Sequence, residues 1–76
     1  DAPAQERFAA LKAWRAEVAR SHNLPAFVVF HDATLTEMAR VRPETLDELA
    51  QISGVGAKKL EAYGEEILRV LESQHG

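Results

Sequence analysis

This 76-residue chain contains no cysteine. That excludes a disulfide staple or a thiolate metal site, and at this length it leaves all stability to a modest core. Long hydrophobic runs are missing too. None approaches the roughly 20 residues needed to cross a bilayer, and the opening DAPAQERFAA is no signal peptide. Nor is there a basic surplus: nine Lys and Arg stand against 12 acidic residues, a net charge of −3. A general nucleic-acid binder usually carries the opposite balance. These absences lead us to expect one soluble, intracellular, monomeric domain with no membrane association, residues 1–76, cut from a longer protein.

What is present favours helix. Hydrophobic residues make up 46% of the chain, and many are alanine and leucine. Pro3 suits the first turn of a helix. From there Phe8, Leu11, Trp14 and Val18 recur at three- and four-residue spacing, with Ala10 and Ala19 beside them. That spacing predicts an amphipathic helix over residues 3–21, with Trp14 in its core-facing stripe. SHNLP then closes it with polar residues and a proline. AFVVF, residues 26–30, has the composition of a strand but no partner strand elsewhere. A lone strand cannot satisfy its backbone, so an irregular turn plugging the core is expected, with one or two of its residues exposed.

Asp32 is expected to cap a helix carrying Leu35, Met38 and Ala39, which Pro43 stops after Arg42. Thr45 and Glu48 have the spacing of a capping box opening a third helix with Leu46, Leu49 and Ile52. Gly54 suits a left-handed C-terminal cap for it. Ala57 onward brings Leu60, Tyr63, Ile67 and Leu71 onto one stripe, with Gly64 expected to break or kink it. The sum is an all-α, compact bundle of about five short helices, with no repeat and no low-complexity linker.

Catalytic constellations are not evident. His22, His31 and His75 are too scattered for a metal site, Ser21, Ser53 and Ser73 lie at helix ends, and Glu65 and Glu66 point about 100° apart on a helix. A non-catalytic domain without cofactor or metal is expected. Binding is better supported. In Gly54-Val55-Gly56 the first glycine permits positive φ, the second lets another backbone approach, and Val55 can anchor the loop. The amides of the following helix would face outward with Lys58 and Lys59 in its first turn, a setting for a phosphate. The same turn also serves as a plain corner between two helices, and Glu61 and Glu65 lie one turn further on. Phe27 is the second candidate. Exposed, its ring is a stacking platform for an unpaired base; buried, it is core like its neighbours. Composition alone leaves both open.

Charge is uneven. Residues 1–42 carry a net +1, with Arg7, Lys12, Arg15, Arg20, Arg40 and Arg42. Residues 43–76 carry a net −4, with only Lys58, Lys59 and Arg69 to offset seven acids. Any basic patch is therefore local.

Taken together and in order, LKAWRAEVA, LPAFVVFHDATLTEMA and RPETLDELAQISGVGAKKLEAYGEEIL resemble the HRDC domain (helicase and RNase D C-terminal), in the form found in bacterial RecQ helicases. The resemblance covers about residues 7–71. It implies a five-helix bundle, joined by a helix-turn-helix at Gly-Val-Gly, that assists a helicase or 3′-exonuclease without catalysing anything itself. Any ATP or metal belongs to the parent enzyme. It implies a cytoplasmic, nucleoid-associated parent, an ATP-dependent DNA helicase of repair and recombination, with this domain near its C-terminus. In the RecQ-like pattern the residue after PA or PP is commonly an exposed tyrosine implicated in single-strand binding. Phe27 holds that place here and lacks the hydroxyl. Lys58 and Lys59 fall where positive residues often join it. DNA-binding members can have a strongly basic first helix, whereas Ala13 and Glu17 interrupt Lys12 and Arg15 here.

Two functions follow as expectations. In the first, one base stacks on Phe27 while Lys58, Lys59 and the turn amides of Gly54, Val55 and Gly56 meet phosphates, with Arg20 and Arg42 extending the track. Binding of single-stranded or branched DNA would be weak and would tune substrate choice for the parent helicase core. In the second, the acidic surface of Glu44, Asp47, Glu48, Glu61, Glu65, Glu66 and Glu72 docks a protein partner or the parent itself. An RNA-binding version, from an RNase D-like exonuclease, is the third alternative.

Overall fold

A computed structural model describes residues 1–74; His75, considered above as a scattered ligand, lies outside them. Five helices follow in order: α1 (Ala2–His22), α2 (Ala26–Val29), α3 (Asp32–Val41), α4 (Leu46–Ala50) and α5 (Ala57–Glu72). No strand occurs among the described residues. The long α1 packs against α3, α5 and α2, and α4 lies along α5. The stripes read from the sequence converge on one core. Leu11, Leu35, Met38, Leu49 and Ile67 are fully enclosed, with Val29 and Leu71 nearly so. Trp14 bridges its neighbours as an aromatic hub, 6.2 Å from Phe30 and 5.7 Å edge-on from Tyr63.

Local chemistry sets the helix ends. Asp1 accepts from the Ala4 amide at 2.8 Å and opens α1. Asn23 closes it in the left-handed conformation, with its amide bonded to Arg20 O and the Leu24 amide to Ala19 O. Asparagine tolerates that conformation better than most residues. Thr45 caps α4 by accepting from the Glu48 amide at 3.1 Å. The return bond of the box shifts by one residue, the Glu48 carboxylate taking the Glu44 amide at 2.7 Å.

Four expectations need correction. AFVVF is not an irregular turn: residues 26–29 form one turn of α-helix, with Ala26, Phe27 and Val28 exposed and Val29 and Phe30 buried. Its backbone is satisfied by distant cations, as described below. Asp32 does not cap α3. His31 holds the N-cap position without a side-chain bond, because the Asp32 carboxylate is drawn to the Arg15 guanidinium at 2.6 Å. Gly54 is left-handed, at φ 96°, but it does not end α4, whose cap is Gln51 in right-handed geometry. It occupies the third position of a turn closed by the Val55 amide on Ile52 O at 3.1 Å, where positive φ is required. Gly64, finally, does not break α5, which runs through it. A Cβ there would stand 2.7 Å from Leu46 Cδ2 and 3.3 Å from Leu60 Cδ1, so its smallness lets α4 lie close.

Candidate nucleic-acid interface

The segment Leu24–Val28 forms an apolar tip. Leu24, Phe27 and Val28 are its large exposed hydrophobic residues, and Phe27 is 60% exposed, the most of any large hydrophobic residue among those described. Burying such a ring would be favourable, yet the described residues leave most of it in solvent. Its ring stacks on His31, with centroids 6.1 Å apart and planes 23° apart. No motif pointed to His31, because the two residues sit four apart across a helix break.

α2 is too short to hold its own shape, since a single turn carries the cost of helix nucleation with almost none of the return. Side chains from elsewhere complete it. Lys59 Nζ donates to Val28 O at 2.7 Å and Val29 O at 2.6 Å, and lies 5.2 Å from the Phe30 ring centroid. Arg15 Nη1 donates to Phe30 O at 2.8 Å. Three successive carbonyls, orphaned where the helix stops, are thereby answered by cations from α5 and α1. Lys59 is half-buried with two of its three donors engaged, and Lys58 beside it is exposed without a hydrogen bond or ion pair among the described residues.

Below them lies the glycine turn. Val55 is buried and pins it to the core. Gly54 faces Thr34: a Cβ at this glycine would overlap Thr34 Oγ1 and stand 3.2 Å from its Cγ2. Gly56 is the N-cap of α5 and supplies no side-chain acceptor, so the first-turn amides of α5 have no side-chain cap and carry the positive end of the helix dipole.

The remaining cations divide. Arg20, in the last turn of α1, is exposed and pairs with Glu17. Arg42 lies at the far end of α5, beside Pro43, Glu44, Leu68, Leu71 and Glu72. The α5 helix rises about 18 Å from Lys59 to Leu71, so Arg42 stands apart from Lys59, whose ammonium reaches the segment carrying Phe27. Arg7 is buried, its Nε donating to Ala39 O at 2.7 Å, and Arg15 is buried too. Neither offers charge to a ligand. Of the titratable groups nearby, Asp32 has its pKa lowered, first by the hydrogen bond from Arg15 and then by its charge. Among the described residues no group of three or more His, Cys, Asp or Glu side chains could hold a metal, and no helix is long and apolar enough to cross a membrane.

Comparison with known proteins gives a consistent answer. A family model for the HRDC domain matches residues 4–71. The ATP-dependent DNA helicase RecQ of Pasteurella multocida is 41% identical over 71 residues, 93% of this chain and 11% of that protein. The ATP-dependent DNA helicase UvrD2 of Mycobacterium tuberculosis strain H37Rv is 40% identical over 70 residues, 92% and 10% respectively. This chain thus spans about a tenth of the length of these relatives. A solved structure, the D. radiodurans RecQ HRDC domain 3, superposes with a TM-score of 0.89 at 41% identity, covering 92% of each chain. With the five-helix bundle and the Gly-Val-Gly turn in place, this chain belongs to the HRDC domain family.

Proposed function

We infer that this chain is a non-catalytic accessory domain near the C-terminus of a larger ATP-dependent DNA helicase, and that it binds single-stranded or branched DNA weakly. The observation that carries this is Phe27, an aromatic ring 60% exposed at an apolar tip with an unpaired lysine and uncapped helix amides nearby. One unpaired base stacks on Phe27. Lys58 and the amides after Gly56 face the adjoining phosphate, and Arg20 extends the track once it lets go of Glu17, an exposed pair that is cheap to break. With so few phosphate contacts affinity is low, and tethering to the helicase core supplies the effective concentration. The domain thereby favours substrates that present unpaired strands. RecQ and UvrD2 relatives fit such a parent equally well.

A second reading has its own support. Glu44, Asp47, Glu48, Glu61, Glu65, Glu66 and Glu72 are all exposed, and none forms an ion pair with a Lys or Arg among the described residues. A basic protein surface would find most of them available, Glu48 already accepting from the Glu44 amide and Glu66 from Trp14 Nε1.

Fluorescence anisotropy with a labelled single strand and a branched junction, at low and physiological salt, tests the first reading. Phe27→Ala is expected to cost about 1–3 kcal/mol of binding and to leave the thermal midpoint unchanged, as the ring contributes little to the core. Unchanged binding in that variant sinks the DNA reading and directs attention to the acidic face.

A further inference from the structure

The two lysines after the glycine turn are neighbours in sequence and opposites in environment. Lys58 projects into solvent. Lys59 lies back across the base of α2, with its ammonium on two carbonyl oxygens at 2.7 and 2.6 Å and the Phe30 ring 5.2 Å away. Pulling this ammonium toward a phosphate would strip Val28 O and Val29 O of their donor. Those carbonyls end a single helical turn whose N-cap, Pro25, offers no side-chain bond, and whose ends are held by Val28 N to Pro25 O at 3.0 Å and Phe30 N to Ala26 O at 3.4 Å. That turn carries Phe27.

We propose that Lys59 is a positioning residue for Phe27: its ammonium locks α2 in the conformation that presents the ring, and it aids DNA binding through that ring rather than by meeting phosphate. This rests on Phe27 being the base platform. It also gives the glycine turn a second task. The turn fixes where α5 begins, and Lys59 stands in the first turn of that helix, so the corner and the platform form one device. Stacking on a ring already held in place avoids the ordering cost that a mobile tip would incur on binding. His31, stacked on Phe27, steadies the ring from a second side.

The test compares wild type, Lys58→Ala, Lys59→Met, Phe27→Ala and the Phe27→Ala/Lys59→Met double variant. Anisotropy with a labelled oligothymidylate is read across a salt series, and amide exchange at Val28 and Phe30 is read by NMR without DNA. Lys59→Met keeps the aliphatic stem and removes the donor. It is expected to weaken binding by roughly two- to tenfold at every salt, to leave the salt slope unchanged, to add nothing in the Phe27→Ala background, and to speed exchange at both amides. Lys58→Ala is expected to reduce the slope by about 0.7, the share of one phosphate on a single strand. A Lys59→Met slope reduced by that amount, with a loss that persists when Phe27 is already alanine, makes Lys59 a phosphate contact and overturns the proposal. Unchanged amide exchange overturns it as well, whatever the DNA data show. If Phe27→Ala binds like wild type, it is the platform reading that fails, and the exchange data still judge the lock by themselves. Should Lys59→Met not fold, Lys59→Gln can donate to one carbonyl, and an intermediate affinity with an unchanged slope is then expected.

Discussion

Gly54→Ala would test the idea that the glycine turn is dictated by packing before it is used for anything else. Two penalties apply. Gly54 sits at φ 96°, in a region that costs a residue bearing Cβ roughly 1–2 kcal/mol. The new Cβ would also overlap Thr34 Oγ1 and press on Cγ2. Thr34 is buried and has little room to yield, and overpacking of this kind costs about 1–3 kcal/mol. Together they amount to roughly 2–5 kcal/mol, against a total stability of about 4–11 kcal/mol for a chain of this length. A loss of about 3 kcal/mol lowers the thermal midpoint by about 12–24 °C. Urea unfolding can be followed through Trp14, the single tryptophan, half-buried in the aromatic hub. Repeating the substitution in a Thr34→Ala background separates the penalties, because only the backbone strain of about 1–2 kcal/mol should survive. Gly54→Ala within about 0.5 kcal/mol of wild type would refute the reasoning entirely, and an equal loss in both backgrounds would refute its steric half.

Three further outcomes are expected. Gly56 has open space where a Cβ would go and an ordinary φ of −80°, so Gly56→Ser should raise stability by about 0.5–1 kcal/mol in urea melts, through a new cap and a less flexible unfolded chain; because its hydroxyl would take an amide that the proposed function turns to phosphate, DNA affinity should fall on that reading. Asp32 and Glu37 have pKa values lowered from 3.8 and 4.5, each chiefly by a hydrogen bond from an arginine, Arg15 and Arg40 respectively. Each contributes stability that is complete above its ordinary value and disappears as pH falls through the lowered one, so Asp32→Asn should flatten the acid limb of a urea-midpoint profile below about pH 4. Leu35→Ala, at a fully enclosed position, should cost about 2–5 kcal/mol in the same urea melts, whereas Val41→Ala, at a position 45% exposed, should stay within about 0.5 kcal/mol.

The long elements were legible because their information is local. The stripe Phe8, Leu11, Trp14, Val18 and the stripe Leu60, Tyr63, Ile67, Leu71 each define a helix face without reference to the rest of the chain, and the Thr45 cap of α4 lies within four residues. What sequence reasoning missed depends on partners far along the chain. α2 is helical because Lys59 and Arg15 answer its carbonyls from 30 and 15 residues away. Asp32 looked like a cap until Arg15 claimed it, and Gly64 looked like a break because the close approach of Leu46 has no sequence signature. The glycine turn was recognised from its residues alone, but which of its two lysines is free could be seen only in three dimensions.

The same distinction governs charge. Nine cations in a sequence of net −3 suggest a reserve that the fold does not hold. Arg7, Arg15 and Lys59 donate to backbone carbonyls of the core and of α2, with Arg15 also held by Asp32, and Arg40 holds Glu37 through two hydrogen bonds. Of the cations that the proposed function turns to DNA, Lys58 is exposed without a partner among the described residues and Arg20 needs a local exchange of partners. Two phosphate contacts give a salt slope of about −1.4 on a single strand, well short of what supports tight binding. The seven acids of residues 43–76 meanwhile stay exposed. On the proposed function, such a domain would gain by attachment to a parent that already holds DNA: its ring would sample bases at high local concentration, while its acidic remainder would repel duplex.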